Sequence, residues 1–340
     1  MAAVTRAAPP LPVLGPGGSR ATRGGSAAAG MLAGASAMVF VGASVAVSGL
    51  LAGSPLFTAQ ALRYAAACLL LLAAVRLAGH PLARPHGAEW GWLIGVALTG
   101  LVLFNLALVE GSQHAEPAVL GVAVACVPLV LAVVGPLMDG GRPRPAVLAA
   151  ALVVTCGAAL VQGVGRSDLI GLAWAAVVLA CEAAFTLLAV PVLRRHGPWS
   201  LSFHATWLAA GMFAVLGLVL EGPAAASRLT LQDALAVGYL AVGVTAVAFV
   251  LWYSSVRRLG AAVAGLLTGV APVAAAAAGI ALGGPSPRPL VWVGVAVVGA
   301  GLVLGLSRGS RASPSAGGES RRGPASRRRR RSSAPASPPA

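Results

Sequence analysis

The sequence predicts an all-α membrane protein with ten transmembrane helices, arranged as two inverted repeats of five helices each. Composition, ten long apolar stretches and an internal repeat support this. Of 340 residues, 58% are apolar and 10% are charged, and the mean hydropathy is +0.86. Soluble domains carry roughly 25% charged residues, and disordered chains combine low hydrophobicity with high charge. The composition therefore excludes both and leaves a chain that crosses a membrane several times.

Ten stretches approach the roughly 20 apolar residues that a helix needs to cross a hydrocarbon core of about 30 Å. Short connections with helix breakers, such as Gly53-Ser54-Pro55, separate them. The first stretch is longer than the apolar part of a signal peptide, about 7–15 residues, and the alternation of barrel strands is absent. We predict spans at Met31–Ala52, Leu56–Ala78, Trp90–Val109, Pro117–Met138, Ala146–Val164, Ile170–Leu193, Trp199–Leu220, Ala234–Val256, Gly260–Leu282 and Leu290–Leu306.

Both ends of the chain have the composition of disordered segments. Residues 1–30 are rich in Pro, Gly, Ala and Ser, which predicts a disordered cytoplasmic arm. Residues 307–340 predict a disordered, Arg-rich cytoplasmic tail with five consecutive arginines at 327–331. Because the tail follows a membrane helix, we expect it to bind anionic lipid headgroups and expect no nucleic-acid partner.

The arginines in the connections predict the orientation, because cytoplasmic connections carry an excess of Lys and Arg. With both termini inside, the cytoplasmic connections hold eight arginines and the outer ones three. The eight are Arg76, Arg84, Arg142, Arg144, Arg194, Arg195, Arg257 and Arg258, and the three are Arg166, Arg228 and Arg288. Heavy use of Arg and Ala favours a GC-rich bacterial source, so we expect a multi-pass protein of the bacterial plasma (inner) membrane.

An internal repeat appears when the sequence is shifted by 144 residues. The shift places Pro128 on Pro272 and the Pro-Arg-Pro motif at 143–145 on its copy at 287–289. Further identities join Ala118, Val119, Gly121, Ala132, Gly135, Gly140, Val147, Val153, Val154, Gly157 and Leu160 to their counterparts 144 positions later. We therefore predict a first five-helix repeat over residues 31–164 and a second over 168–306. Since each repeat has an odd number of spans, the second must enter the membrane from the other side.

Inverted repeats predict a function, because two similar units that face opposite ways can exchange conformations and open one site alternately to each side. The interpretation is a secondary transporter of a small molecule, with its path near the bilayer midplane. The alternative is a transporter-derived channel or a membrane sensor without active transport.

Two segments resemble the EamA-type transporters of the drug/metabolite transporter superfamily over about residues 31–306. One is Phe104-Asn105-Leu106-Ala107-Leu108 with the following helix to Pro128, and the other runs from Phe249-Val250-Leu251-Trp252-Tyr253 to Pro272. Arg63 resembles the arginine in the second helix of that family. The resemblance implies a ten-helix fold and export or import of small metabolites or drugs without ATP. The turn at 114–117 is more charged than is usual there, and the second repeat carries Thr206 or Trp207 where the first has Arg63.

Two charged residues lie well inside predicted spans, where insertion costs about 2.5–3.5 kcal/mol at the helix centre. Arg63 is a candidate for holding an anionic substrate group or a gate, or for a structural pair with Glu110. Glu182 is a candidate for proton coupling, because a carboxyl group in a low dielectric exchanges its proton near neutral pH. The structural alternative is a protonated, hydrogen-bonded glutamate, or one that faces water.

Weaker candidates for the substrate path are Asn105, His204, Tyr253, Trp174 and Trp252. Asn105 can equally bond a neighbouring helix, the aromatic residues are often interfacial anchors, and a single helix histidine is usually structural.

Pro128 and Pro272 interrupt the fourth span of each repeat, and we name them as hinge candidates. Pairs of small residues, namely Gly265/Gly269, Gly279/Gly283 and Gly301/Gly305, favour close helix packing and allow a homodimer.

Enzyme motifs are absent from the sequence. Without lysine there is no Walker A loop, and the GxSxG match at 305–309 follows a membrane helix with no downstream His. The four cysteines show no metal-ligand spacing. We therefore expect no enzymatic activity, no cofactor and no metal ion.

Overall fold

The computed structural model describes residues 19–48, 51, 53–281, 283 and 287–309. Within these ranges the chain is helical, apart from turns and one isolated antiparallel bridge between Ala115 and Ser167. The first helix begins at Ser19, so residues 19–30 are helical where we predicted a disordered arm. The run of arginines at 327–331 and the lipid contact expected of it lie outside the described residues.

Ten of the described helical stretches are long and apolar enough to cross a membrane, which confirms the predicted fold class. They are α1 (Ser19–Ser48), α2 (Leu56–Leu77), α3 (Glu89–Ser112), α4 (Pro117–Met138), α5 (Pro145–Gln162), α6 (Leu169–Leu187), α7 (Val190–Glu221), α8 (Leu231–Leu259), α9 (Ala261–Ala281) and α10 (Pro289–Gly309). Glycine at position 197 adopts φ 65° and ψ 173°, a conformation open to glycine, and interrupts α7 directly before Pro198.

Ion pairs near the helix ends identify two opposite faces of the protein. On one, the arginine-rich face, Arg194 lies 3.6 Å from Asp139 after α4, and Arg195 pairs with Glu89 at the start of α3. On the opposite face, Arg166 before α6 lies 3.0 Å from Glu116 before α4. Helix α4 therefore begins on the opposite face and ends on the arginine-rich face.

The repeats are inverted, because the counterpart of α4 in the second repeat runs the other way. A single residue, Gly260, separates the end of α8 from the start of α9. Arg257 at that end of α8 approaches Gly197, which adjoins the Arg195 ion pair of the arginine-rich face. Helix α9 therefore starts on the arginine-rich face, the same face on which α4 ends.

The two repeats interleave in space. Helix α1 packs on α8 and α9 of the other repeat, and its counterpart α6 packs on α3 and α4. In the same way α2 contacts α8, and α7 contacts α3. Two bundles result, each with helices from both repeats: bundle A contains α1, α2, α8 and α9, and bundle B contains α3, α4, α6 and α7.

Three pairs of equivalent helices also contact each other, namely α2 with α7, α4 with α9, and α5 with α10. The last pair depends on glycine, because a Cβ on Gly157 or Gly294 would meet backbone atoms of the facing helix. Of the small-residue pairs predicted from sequence, Gly265/Gly269 and Gly301/Gly305 lie against neighbouring helices, whereas a Cβ on Gly279 or Gly283 would meet no described atom within 4 Å.

We expect Gly157→Leu to separate α5 from α10 and to lower the free energy of unfolding by at least about 2 kcal/mol, since overpacking a filled interface costs 1–3 kcal/mol or more. The measurement is the midpoint of thermal unfolding in detergent. Gly279→Leu adds the same side chain to open space and serves as the control. Equal midpoints for the two variants would contradict the role given to the glycine contact.

Candidate functional site

Polar side chains from four helices meet in the interior, where α2 and α8 of bundle A face α3 and α6 of bundle B. We call Gln60, Arg63, Asn105, Glu182 and Thr245 the central polar cluster. The aromatic residues beside it belong to the largest apolar core of the described chain, in which Tyr64 and Tyr253 are almost fully buried. Within the cluster, Gln60 and Thr245 are buried, whereas Arg63, Asn105 and Glu182 are half-buried.

Arg63 is held by neutral partners. Its Nε atom donates to the Thr245 hydroxyl at 2.9 Å, and Nη1 donates to Gln60 Oε1 at 3.4 Å. The guanidinium carbon lies 5.2 Å from the centre of the Tyr64 ring, a cation–π distance. The pair with Glu110 considered from sequence does not form; Glu110 accepts from Gln113 at 3.4 Å. Within the described part of the chain, Arg63 has no carboxylate partner and Nη2 makes no hydrogen bond.

Gln60 and Asn105 extend this network from bundle A to bundle B. The Gln60 amide nitrogen donates to Asn105 Oδ1 at 2.8 Å, and the Asn105 amide nitrogen donates to the Leu101 carbonyl at 2.6 Å. Asn105 thus bonds both a neighbouring helix and its own helix. A continuous chain of hydrogen bonds therefore runs from Thr245 on α8, through α2, to α3.

Both ends of this hydrogen-bond network lie in π-helical segments. Residues Leu98–Leu103 of α3 and Leu240–Val247 of α8 are π-helical, and the repeat shift of 144 places Leu101 on Thr245. A π-helical turn widens the helix and is frequent at functional sites. The backbone irregularity is therefore duplicated, and in both copies the matched residue bonds a cluster side chain.

Glu182 on α6 lies opposite bundle A. Its carboxyl group interacts electrostatically with the hydroxyl groups of Tyr64 and Tyr253. Among the residues that the structure describes, it has no hydrogen-bond or ion-pair partner. Since a charged carboxylate without a partner is costly inside a membrane protein, this position favours a group that changes its protonation or meets a ligand.

Aromatic side chains pack beside Glu182 and link the bundles. The Tyr253 hydroxyl donates to the Phe185 carbonyl at 3.4 Å, and the two rings lie 5.3 Å apart. The Trp252 indole N–H donates to the Thr186 hydroxyl at 3.0 Å. Tyr253 therefore borders the site, whereas Trp252 is a buried contact between α8 and α6.

His204 and Trp174 lie outside the central polar cluster. His204 Nε2 is 2.9 Å from the Ala83 carbonyl, and Nδ1 accepts from the Trp207 indole at 3.1 Å. These partners define a neutral imidazole with its proton on Nε2, which anchors the α2–α3 connection. Trp174 packs with apolar residues of α3 and α4.

The prolines named as hinge candidates follow breaks in their helices. In α4 the α-helical segments Pro117–Ala125 and Val127–Met138 are separated at Cys126, just before Pro128. In α9 a 3₁₀ turn over Leu267–Gly269 precedes Pro272. Proline lacks the N–H that would continue the helix, so both fourth helices carry a discontinuity at equivalent depth.

The charged turn at 114–117 has a structural role. His114 lies 2.9 Å from Asp168, and the backbone of Glu116 pairs with that of Arg166 on the connection before α6. The hydrogen bond from the Gly171 backbone N–H lowers the pKa of Asp168, and the one from His114 lowers it further. The hydrogen bond from Arg166 lowers the pKa of Glu116. Both carboxylates therefore stay charged at neutral pH and hold two connections of the opposite face together.

The sequence interpretation missed Gln60 and Thr245. Gln60 had a signal, because it lies one turn before Arg63 on the same helix face. Thr245 had none, because a single hydroxyl residue in an apolar span is common and its partner is 182 residues away.

Ten membrane-spanning helices in two inverted repeats, with a polar cluster between interleaved bundles, define a polytopic membrane protein of the transporter type. Comparison with known proteins gives the family: the EamA-like transporter family model matches residues 28–162 and 169–307. The chain therefore belongs to the EamA-like transporter family, as the resemblance predicted.

Relatives carry transporter names. The uncharacterized transporter YetK of Bacillus subtilis is 27% identical over 249 residues, which is 71% of this chain and 76% of YetK. The uncharacterized inner membrane transporter YedA of Escherichia coli K12 is 28% identical over 250 residues, 71% of this chain and 78% of YedA. A crystal structure with 21% identity superposes with a TM-score of 0.70, covering 81% of this chain and 96% of its own, and supports the fold alone. The protein is thus a multi-pass inner-membrane transporter of the drug/metabolite superfamily.

Proposed function

We propose that the protein moves a small metabolite or drug by alternating access, as a secondary transporter that exports its substrate in exchange for protons. The central polar cluster carries this proposal, because it holds an arginine and a carboxyl group without charged partners at the junction of two bundles. Such groups are expensive within a membrane and are retained there for function. The channel or sensor alternative shares the fold but does not need a proton-exchanging site.

Arg63 is the proposed substrate ligand. Thr245 and Gln60 fix two of its nitrogen atoms and leave Nη2 without a protein partner among the described residues. A guanidinium oriented in this way suits an anionic oxygen group, since charge-assisted hydrogen bonds are the strong ones. Because Gln60 also bonds Asn105 of the other bundle, a ligand on Arg63 would be sensed by both bundles.

Glu182 is the proposed proton-coupling group. Its carboxyl group lies within electrostatic range of the Tyr64 and Tyr253 hydroxyl groups of the other bundle. Protonation removes the cost of a buried charge and favours the closed contact between bundles, whereas deprotonation favours a water-accessible site. Motion at the helix breaks before Pro128 and Pro272 would connect these two arrangements.

The proposed orientation places the arginine-rich face in the cytoplasm, with both chain termini on that side. This follows the excess of arginine on cytoplasmic connections. The structure supports the grouping of these connections on one face through the contacts of Arg194 and Arg195.

We expect overexpressing and deletion cells to differ in the amounts of at least one small molecule inside the cell and in the medium, measured by untargeted metabolite profiling. With that molecule, vesicles should show saturable, gradient-driven flux, and Arg63→Gln should abolish it because the anion ligand is lost. Arg76→Gln changes an exposed arginine on the same helix and should retain flux. Flux that does not saturate would favour the channel alternative, and normal flux in Arg63→Gln at normal expression would reject the ligand role.

We expect Glu182→Gln to remove the pH dependence of transport, because glutamine mimics the protonated carboxyl group and cannot release a proton. The measurement is flux into vesicles over a series of pH gradients. Glu110→Gln, at the end of α3 on the opposite face, is the control and should keep the pH dependence of the unmodified protein. An unchanged pH profile in Glu182→Gln would remove the coupling role.

For orientation, single cysteines are placed at Asp139 on the arginine-rich face and at Ala226 on the opposite face, in a variant whose four native cysteines are replaced. A membrane-impermeant maleimide should label position 226 in intact spheroplasts, whereas position 139 should react only after permeabilisation. Labelling of both positions from the same side would contradict the inverted arrangement of the repeats in the membrane.

A further inference from the structure

Helix α2, which carries Gln60 and Arg63, begins without a cap of its own. The residue before its first turn is Pro55, which makes no side-chain capping bond. The first backbone N–H groups of a helix have no partner within the helix and must find one elsewhere. The cap comes instead from Glu221, at the far end of α7.

The Glu221 carboxylate accepts three hydrogen bonds from two residues of α2. Oε1 accepts from the Phe57 amide at 2.8 Å, and Oε2 accepts from the Thr58 amide at 2.8 Å and from the Thr58 hydroxyl at 2.6 Å. A negative charge at a helix N-terminus is favoured by the helix dipole. Both carboxylate oxygens are therefore used by a helix of the other bundle.

The end of α7 is shaped for this contact. Its last turn, Gly217–Glu221, is π-helical, and a Cβ on Gly217 would lie 3.0 Å from the Thr58 hydroxyl. Glycine thus allows α7 and α2 to approach closely just below the carboxylate. The Glu221 carbonyl accepts from Arg228 at 2.7 Å, which fixes the backbone that presents the side chain.

The contact joins the two bundles and adjoins the central polar cluster. Helix α2 belongs to bundle A and α7 to bundle B, and below the cap Tyr64 stacks on Phe213 with ring centres 5.5 Å apart. Gln60 lies two residues beyond Thr58, and Arg63 lies less than two turns further along the same helix. Release of the cap would therefore free the end of α2 that carries the proposed substrate ligand.

The other end of the α2–α7 pair is held differently. The repeat shift places Leu77 at the position of Glu221, so the arginine-rich face has no equivalent carboxylate. There the Ser200 hydroxyl accepts from the Ala83 amide at 3.0 Å, and the contact lies on the connection after α2. The cap is consequently specific to the opposite face.

We propose that Glu221 is a positioning residue and a latch: its carboxylate closes the opposite face by capping α2 and is released when that face opens. The inference rests on the proposed transport function only in treating this opening as part of a transport cycle. The latch itself is a property of the protein and can be measured without substrate.

The test is amide hydrogen exchange of the full chain in lipid nanodiscs. We expect Glu221→Gln to raise the exchange rates of the Phe57 and Thr58 amides about tenfold or more, because a charged acceptor becomes a neutral one with a single acceptor oxygen. Exchange at Ala83, on the arginine-rich face, should stay unchanged. In a variant whose four native cysteines are replaced, Leu216→Cys, at a partly buried position of the largest apolar core, should react faster with a maleimide in the Glu221→Gln background.

Ser54→Ala is the matched control. It removes the Ser54–Asp233 hydrogen bond of 2.6 Å on the same face, but this bond joins two elements of bundle A. The control should loosen the α1–α2 connection and leave the Thr58 amide and position 216 protected. An equal effect of Ser54→Ala would show simple loosening of the connection and overturn the latch.

Unchanged exchange at Phe57 and Thr58 in Glu221→Gln would also overturn it. If Glu221→Gln does not fold, Thr58→Val removes one of the three bonds and should raise exchange at the same amides by a smaller factor, and no increase there would reject the proposal. Faster exchange and labelling in a protein that shows no flux of any molecule would uphold the latch and reject the transport function instead.

Discussion

A polar group that this chain carries into the hydrocarbon region has to find its partner within the protein, because the bilayer core offers no water. Four members of the central polar cluster satisfy this constraint by a relay in which Arg63 donates to Thr245 and to Gln60, and Gln60 donates to Asn105. Glu182 is the member without such a partner among the described residues. Loss of one member leaves another buried and unsatisfied, which costs about 1–3 kcal/mol. The polar relay therefore stabilises the contact between the bundles.

The number of spans, the short connections and the repeat could be read from the sequence, since each depends on local hydropathy or on self-similarity. The start of α1 could not: Ala, Gly and Ser from Ser19 onward are compatible with a helix or with a disordered arm. The interleaving of the repeats was equally inaccessible, because helix partners depend on packing surfaces far apart in sequence. The π-helical segments have no marker either, as Leu98–Leu103 contains no proline and only Gly100 as a small residue.

The charged members of the site and Asn105 were predictable from the sequence, whereas Gln60 and Thr245 were not. Arg63 and Glu182 stood out because a charge in an apolar span is rare and costly. Their partners are ordinary residues whose meaning comes from three-dimensional proximity, as Thr245 shows. His204 was a candidate because a titratable side chain is uncommon in an apolar span. Its contacts with Ala83 and Trp207 show that it anchors a connection instead. Residue type thus selects candidates, and only the packing separates a site from a structural contact.

The irregular turns of the backbone occur in both repeats, whereas each polar side chain of the site occurs in only one of them. These two facts have different consequences. The π-helical turns of α3 and α8, and the breaks before Pro128 and Pro272, recur in both repeats, which suits the proposed exchange of conformations between the repeats. If their side chains matched as well, the two resulting states would be related by a two-fold axis in the membrane plane and equal in free energy.

The side chains do not match. Phe249 replaces Asn105 in the second repeat, and Leu77 occupies the position in the first repeat that Glu221 holds in the second. The polar relay and the α2 cap therefore exist in one copy each, so in the proposed alternating-access cycle they would stabilise the two states unequally. A ligand or a proton that binds this single site would shift the balance between those states by its difference in affinity for them.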